Sequence, residues 1–255
     1  MRQQGVPYLD ASGPLGFAHR GGASAGDENT TAAFARAADL GYRYIETDTH
    51  ATADGVAVVF HDDTLERLLG RPGRMIDLRW ADLRTERVGG AAVVPRLDEV
   101  LDAYPDIRFN IDAKTDHAAQ PTVDVVERVK AHERVLLASF SSARLARMRR
   151  AAGPAVATSM GMREVAGLWA AYQIGRRYTP AQTVVAVQIP PRYGRIRLAT
   201  KQFVDYCHRA GLHVHLWTID DPQEIAYFLD LGVDGIMTDH IEVLRDVYLA
   251  RGIWS

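Results

Sequence analysis

Much of what this chain of 255 residues is can be read from what it lacks. It holds one cysteine, Cys207, which excludes an internal disulfide framework and any multi-cysteine zinc site. Cys207 falls in an apolar-periodic stretch and is expected to be a small core residue, not a nucleophile. No run approaches the roughly 20 continuous apolar residues that a membrane span requires. Residues 1–14 lack the apolar core of a secretory signal, so a cytoplasmic protein is the expectation. Neither sign of charge dominates: 30 Lys+Arg stand against 32 Asp+Glu, a formal charge of −2. A dedicated nucleic-acid binder shows a basic excess and a pI above about 9, so that class falls away. Neither G-x-G-x-x-G after the first strand nor G-x-x-x-x-G-K anywhere is present, which removes the usual phosphate cradles of an open doubly wound sheet.

Hydrophobic residues make up 47% and charged residues 24%, which is ordinary for a globular chain. Short β-branched runs alternate with helical patterns almost throughout. Strands are expected over 15–19, 44–49, 108–113, 135–139, 155–159, 184–189, 213–218 and 235–238, with helices over 31–40, 123–132, 143–152, 200–210 and 223–231. Ser141 or Ser142 can cap one helix; Gly41, Gly153, Gly211 and Gly232 can stop others. About eight β-α units without a composition break predict an α/β fold, a single TIM (β/α)8 barrel of one domain over residues 1–255. A small hairpin and loop excursion follows the second strand: Asp54-Gly55 punctuates one part, and residues 63–97 are rich in Gly, Arg and Pro.

A barrel of this kind keeps its chemistry at the C-terminal ends of its strands. The first strand ends in His19-Arg20-Gly21-Gly22, the second carries Glu46-x-Asp48, the third Asp112-x-Lys114 and the seventh Trp217-Thr218. Residues two apart on a strand share a face, so Glu46 joins Asp48 and Asp112 joins Lys114. A two-residue turn at Asp54-Gly55 would pair Ala53 with Val56 and, further out, Asp48 with His61, on one face. Three carboxylates, Glu46, Asp48 and Asp112, suit a hard divalent cation such as Mg²⁺ or Ca²⁺. Two histidines beside it, with Arg20 and Lys114, suit phosphoryl chemistry, because imidazoles move protons near neutral pH while cations balance phosphate charge.

Elsewhere the bland readings prevail. Val165, Leu168, Trp169 and Tyr172 at helical spacing over 163–177 mark a barrel-packing helix, with an interfacial lid as the alternative. His213 and His215 are expected to be buried and hydrogen-bonded. Arg192, Arg195 and Arg197 follow Pro190-Pro191 on a strand-end loop and are solvated, or attract an anionic headgroup.

At these residues the sequence resembles the glycerophosphodiester phosphodiesterase family. The matching stretches include Ala18-His19-Arg20-Gly21-Gly22, Glu28-Asn29-Thr30-Thr31, Tyr44-Ile45-Glu46-Thr47-Asp48, Thr52-Ala53-Asp54-Gly55 and Phe60-His61-Asp62. Asp112-Ala113-Lys114, Ser139-Phe140, Trp217-Thr218 and Asp234-Gly235-Ile236-Met237-Thr238-Asp239 continue it downstream. The resemblance implies that His19 and His61 are the acid/base pair and that Glu46, Asp48 and Asp112 are metal ligands. It implies that Arg20 and Lys114 hold the phosphate, Glu28 supports the site and Trp217 walls the alcohol pocket. The implied reaction releases glycerol 3-phosphate and an alcohol from a small-molecule glycerophosphodiester, through a cyclic phosphate formed by the glycerol 2-hydroxyl. Two positions depart from the family pattern. Asp27 stands where proline commonly precedes Glu-Asn-Thr, and Asp112 replaces the commoner glutamate, as in sphingomyelinase D-like barrels. A lysophospholipase D-like or sphingomyelinase D-like headgroup hydrolase and a catalytically silent phosphodiester-binding barrel are the alternatives.

Overall fold

The computed structural model describes residues 6–89 and 92–254. In chain order the strands are β1 (Leu15–His19), β2 (Tyr44–Ala51), β3 (Ala57–Val59), β4 (Arg87–Val88), β5 (Ala92–Val93), β6 (Arg108–Ala113) and β7 (Val135–Ala138). They continue with β8 (Ala157–Ser159), β9 (Val184–Ile189), β10 (Arg192–Tyr193), β11 (Ile196–Arg197), β12 (His213–Leu216) and β13 (Gly235–Thr238). The helices are α1 (Thr31–Asp39), α2 (Glu66–Leu69), α3 (Trp80–Leu83), α4 (Leu97–Ala103), α5 (Asp116–Arg128) and α6 (Ser142–Ala152). After them come α7 (Met162–Gln173), α8 (Lys201–Arg209), α9 (Pro222–Leu231) and α10 (Ile241–Ala250).

Eight parallel strands run β1-β2-β6-β7-β8-β9-β12-β13, and β13 pairs back onto β1 to close the barrel. This is the TIM architecture expected from the β-α alternation. Its two-residue period decides where chemistry can go. Ala18, Ile45, Phe109, Ile111, Val214 and Ile236 face outwards into the helix-packed core. Phe17, Tyr44 and Met237 belong to the inner cluster instead. By alternation His19, Glu46, Asp48, Asn110, Asp112 and His215 point inwards. Tyr8 joins the inner cluster near the strand starts, where its carbonyl accepts the Tyr44 hydroxyl at 2.8 Å.

The structure corrects several local expectations. The β2–β3 ladder pairs Thr49 with Val59, His50 with Val58 and Ala51 with Ala57. The turn is therefore three residues long, Ala53-Asp54-Gly55, and Asp48 opposes Phe60, whose N–H reaches the Asp48 carbonyl at 3.1 Å. The Asp48–His61 pairing is overturned. The Thr52 hydroxyl, bonded to Asp54 Oδ1 at 2.6 Å and accepting from Val56 N at 3.0 Å, organises the wider turn. The expected loop excursion is more than a loop: Val58, Phe60, Leu65, Met75, Leu83, Val88 and Val94 form a small core of their own. Helix α5 begins at Asp116, capped by the Thr115 hydroxyl, ahead of the expected start. Pro121 lies inside it, where a proline costs one helical hydrogen bond without ending the helix. The expectation had no counterpart for α4 and α10.

The turn after β1 needs its glycines. Gly21 has φ +83°, and a Cβ there would stand 2.7 Å from Phe34 Cδ1 and 2.9 Å from Ala33 Cβ. The backbone of the His19 loop thus lies directly on α1. Gly21→Ala should lower stability by roughly 2–4 kcal/mol, combining a left-handed alanine with overpacking. Denaturant unfolding of the two proteins checks this; equal midpoints and slopes would show that α1 yields without cost.

Candidate active site

The inward-facing strand ends bring the expected residues together at one mouth. His19, Arg20, Glu46, His61, Asp112, Lys114 and Trp217 line a cavity of about 550 Å³. Both histidines are held the same way. His19 Nδ1 lies 2.6 Å from Asp239 Oδ1, and His61 Nδ1 lies 2.6 Å from Asp62 Oδ1. A carboxylate on Nδ1 fixes the proton there and leaves Nε2 as the working nitrogen. His19 Nε2 is 3.6 Å from Glu46 Oε2. Burial opposes a charged His19, but Glu46 and Asp239 outweigh it and raise its pKa. His61 lies beyond the end of β3, so the ladder does not govern its direction. Its carbonyl accepts from the buried His50 ring at 3.0 Å, which fixes the chain as it leaves the sheet.

Behind the histidines runs a chain of charges. Arg67, delivered by α2 of the excursion, reaches both Asp62 oxygens at 2.7 and 2.8 Å. It also reaches both Glu28 oxygens, at 2.7 and 2.8 Å. Glu28 in turn accepts from Arg20 Nη1 at 2.8 Å, and Arg20 Nε is 3.2 Å from Asp48 Oδ2. Glu28 thus supports Arg20. Asn29, fully buried and in the left-handed region that Asn tolerates, donates to Asp48 Oδ2 at 2.9 Å and accepts from the Thr47 hydroxyl at 2.7 Å. Asp27 gives the loop before α1 its stiffness: Arg36 grips both its oxygens, at 2.8 and 2.9 Å.

On the other side, Lys114 Nζ sits 2.7 Å from Asp48 Oδ1 and 2.8 Å from Asp112 Oδ2. Burial disfavours that ammonium, yet the two carboxylates keep it charged. Lys114 also lies 5.8 Å over the Phe140 ring, and Phe140 meets Trp217 edge-on at 5.6 Å. Asn110 and Gln188 form part of the cavity lining, joined at 3.0 Å, and Gln188 continues to His215 Nδ1 at 3.3 Å. Burial pushes His215 down to about 3, so it stays neutral as a structural histidine. A second, wider hollow of about 1130 Å³ lies among the strand starts, where Arg43, Arg108 and Arg134 line it without either histidine.

The glycerophosphoryl diester phosphodiesterase family model matches residues 19–243, which includes nearly all of this constellation. The chain belongs to that family. A Mycobacterium tuberculosis protein named "Probable glycerophosphodiester phosphodiesterase 2" is 42% identical, over 98% of this chain and 96% of its own. The crystal structure of an Agrobacterium tumefaciens glycerophosphodiester phosphodiesterase superposes with a TM-score of 0.75 at 23% identity, covering 92% of this chain and 99% of its own. An Oleispira antarctica phosphodiesterase, solved with its product sn-glycerol-3-phosphate, superposes with a TM-score of 0.74 at 21% identity, over 92% of this chain and 96% of its own.

A divalent cation is the group this family barrel implies, and the side chains can be tested for it. Among the described residues no three carboxylate, imidazole or thiol groups converge as a ready coordination shell. The expected three-carboxylate cluster is instead bridged by Lys114, which lies between Asp48 and Asp112. The donor chemistry nevertheless fits. Asp112 Oδ1 is buried with no hydrogen-bond partner among the described residues. Burial, then the neighbouring Asp48, push Glu46 up to about 7, as expected where negative charge is incompletely balanced. An all-oxygen set with an open lone pair suits Mg²⁺ or Ca²⁺.

Several residues escaped the sequence reading. Asp62, Arg67, Asn29 and Asp239 hold the site without being recognisable as its members. Asn29, Asp62 and Asp239 lie in matched motifs, which was the only available signal; Arg67 had none. Helix α7 was expected to be ordinary packing, yet Met162, Val165, Ala166 and Trp169 line the cavity. The Arg67 clamp has a pH signature. The Arg67 and His61 contacts overcome burial and lower Asp62 to about 2, against about 4 when unfolded. The resulting stability is present above about pH 4 and lost as pH falls to about 2. Arg67→Met should cost about 1 kcal/mol at pH 7, a figure reduced for the half-exposed guanidinium, and the gap should close on acidification. Unfolding measured at both pH values checks it; a pH-independent gap would contradict the assignment.

Proposed function

We propose that this barrel hydrolyses glycerophosphodiesters to glycerol 3-phosphate and an alcohol by paired-histidine acid–base catalysis. The observation that carries the proposal is the pair of imidazoles at one cavity, each tied through Nδ1 to a carboxylate. The product held by the Oleispira relative supports the substrate class. His61 has a carboxylate on Nδ1 alone, and that carboxylate is shared with Arg67, so its Nε2 suits the base. His19, flanked by carboxylates at both nitrogens, suits the acid.

In this reading His61 Nε2 takes the proton of the glycerol 2-hydroxyl, whose oxygen forms a bond to phosphorus. The phosphorus–alkoxy bond breaks, and the departing alcohol takes a proton from His19. The cyclic phosphate is then opened by water: His19 accepts its proton, the hydroxyl bonds to phosphorus, and the released 2-oxygen takes its proton back from His61. Arg20 and the one Lys114 donor not committed to a carboxylate face the phosphate charge. Glu46, Asp48 and Asp112 would hold the divalent cation, which when bound supplies charge neutralisation at the phosphoryl oxygens. Trp217 and Phe140 wall the space for the alcohol. A second reading, turnover of lysophospholipids, is favoured by one feature: Met160, Val165, Trp169, Ile189 and Leu198 give part of the cavity an apolar lining.

His19→Ala and His61→Ala should each lower kcat by at least about 10²-fold, the usual scale for a lost acid or base. Turnover of glycerophosphocholine by the folded variants checks this; near-normal rates would remove that histidine from the chemistry. Asp112→Asn should raise the cation concentration needed for half-maximal activity, and Asp112→Glu should retain substantial activity. The measurement is a metal titration of EDTA-treated protein, in which superimposable wild-type and Asp112→Asn curves would exclude Asp112 as a ligand.

A further inference from the structure

Seven large hydrophobic side chains are exposed among the described residues, and four of them crowd one arc of the barrel mouth. Phe140, 51% exposed, follows β7; Met162, 53% exposed, opens α7 after β8; Tyr193 and Ile196, 62% and 45% exposed, form the β10–β11 hairpin after β9. Strands β7, β8 and β9 are consecutive in the barrel, so these loops are neighbours. All four side chains also border the catalytic cavity. The hairpin is a two-sided ribbon. Tyr193 opposes Ile196 on one face, and Arg192 opposes Arg197 on the other, with Gly194-Arg195 at the turn.

The charge on this arc is of one sign. Arg163, Arg192, Arg195 and Arg197 are exposed, and their guanidinium groups form no ion pair or hydrogen bond with any described residue. The single carboxylate on these loops, Glu164, is already bound by Arg149 at 2.6 Å. The chain as a whole carries −2, so the positive arc is local, not a consequence of composition. Exposed aromatic and aliphatic side chains interleaved with unpaired arginines are what an interfacial surface presents to anionic headgroups: the apolar groups enter the headgroup boundary while the guanidiniums meet phosphates.

We propose that this arc docks the barrel on an anionic lipid surface, with the cavity mouth held against the bilayer. The choice of lipid over an acidic protein rests on reading the cavity as a site for phospholipid-derived phosphodiesters. The exposed apolar rim is continuous with that cavity, so a docked barrel would receive substrate from the surface itself. No described helix is long and apolar enough to cross a membrane, so the contact is peripheral.

The experiment is vesicle flotation with the full chain, using phosphatidylcholine vesicles with and without phosphatidylglycerol, alongside turnover of soluble glycerophosphocholine. Wild type should float with the anionic vesicles about ten-fold more than with neutral ones, and high salt should abolish the difference. The triple variant Arg192→Glu, Arg195→Glu, Arg197→Glu should lose that anionic binding while keeping wild-type turnover of the soluble substrate. Tyr193→Ser with Ile196→Ser should also lower flotation, with the charge unchanged. Turnover without flotation, or flotation unaffected by the triple variant, overturns the docking surface and leaves the proposed function standing. Flotation lost in both variants, but without turnover of any glycerophosphodiester, supports the surface and overturns the proposed function instead. Binding to polyglutamate but not to anionic vesicles would assign the arc to an acidic protein and overturn the proposal.

Discussion

Buried charge at the barrel mouth is the constraint on which this structure turns. Glu46, Asp48 and Asp112 are each almost completely removed from water at the ends of two adjacent strands. An unpaired buried carboxylate costs several kcal/mol, so such a cluster persists only where cations and donors are positioned for it. Lys114 between Asp48 and Asp112, Arg20 beside Asp48 and the Asn29 amide meet that demand. The remaining imbalance is concentrated at Glu46 and at the open oxygen of Asp112. These are the positions where a divalent ion would relieve the most electrostatic cost.

The rest of the fold serves that arrangement. Parallel pairing sets Asp48 beside Asp112 and Glu46 beside Asn110, so the polar inner layer comes from strand register and does not depend on flexible loops. The close contact of Gly21 with α1 fixes the turn that aims Arg20 inwards. The excursion after β2 has its own apolar core, which gives α2 a firm base from which Arg67 spans Glu28 and Asp62. His61, which stands past the end of its strand, is thereby tied through Asp62 to a fixed part of the fold.

The mouth is chemically two-sided. The β1, β2 and β6 arc carries the histidines and buried charges, whereas the β7 to β9 arc carries Phe140, Met162, Tyr193 and Ile196. The second arc adds exposed arginines to those apolar groups, so its charge is positive and solvated while that of the first is buried and paired. The polar half must be rigid, because buried ions tolerate little displacement, while exposed apolar side chains on loops can adapt to what they meet.

The barrel, its strand order along the chain and the inward residues His19, Glu46, Asp48 and Asp112 were legible from the sequence, because two-residue alternation and strand-end position are local properties. Helix ends marked by Ser141, Gly153 and Gly232 were legible for the same reason. The hairpin register was not: a single added turn residue changes every pairing, and the Thr52–Asp54 hydrogen bond that widens the turn has no counterpart in hydrophobic pattern. Nor could sequence spacing show that Lys114 would bridge Asp48 and Asp112, or that Arg67 would close on Glu28, 39 positions away. Periodicity assigns a residue to a face of its own element. Which charges meet across elements is decided by packing, since only the closed barrel brings them within hydrogen-bonding distance.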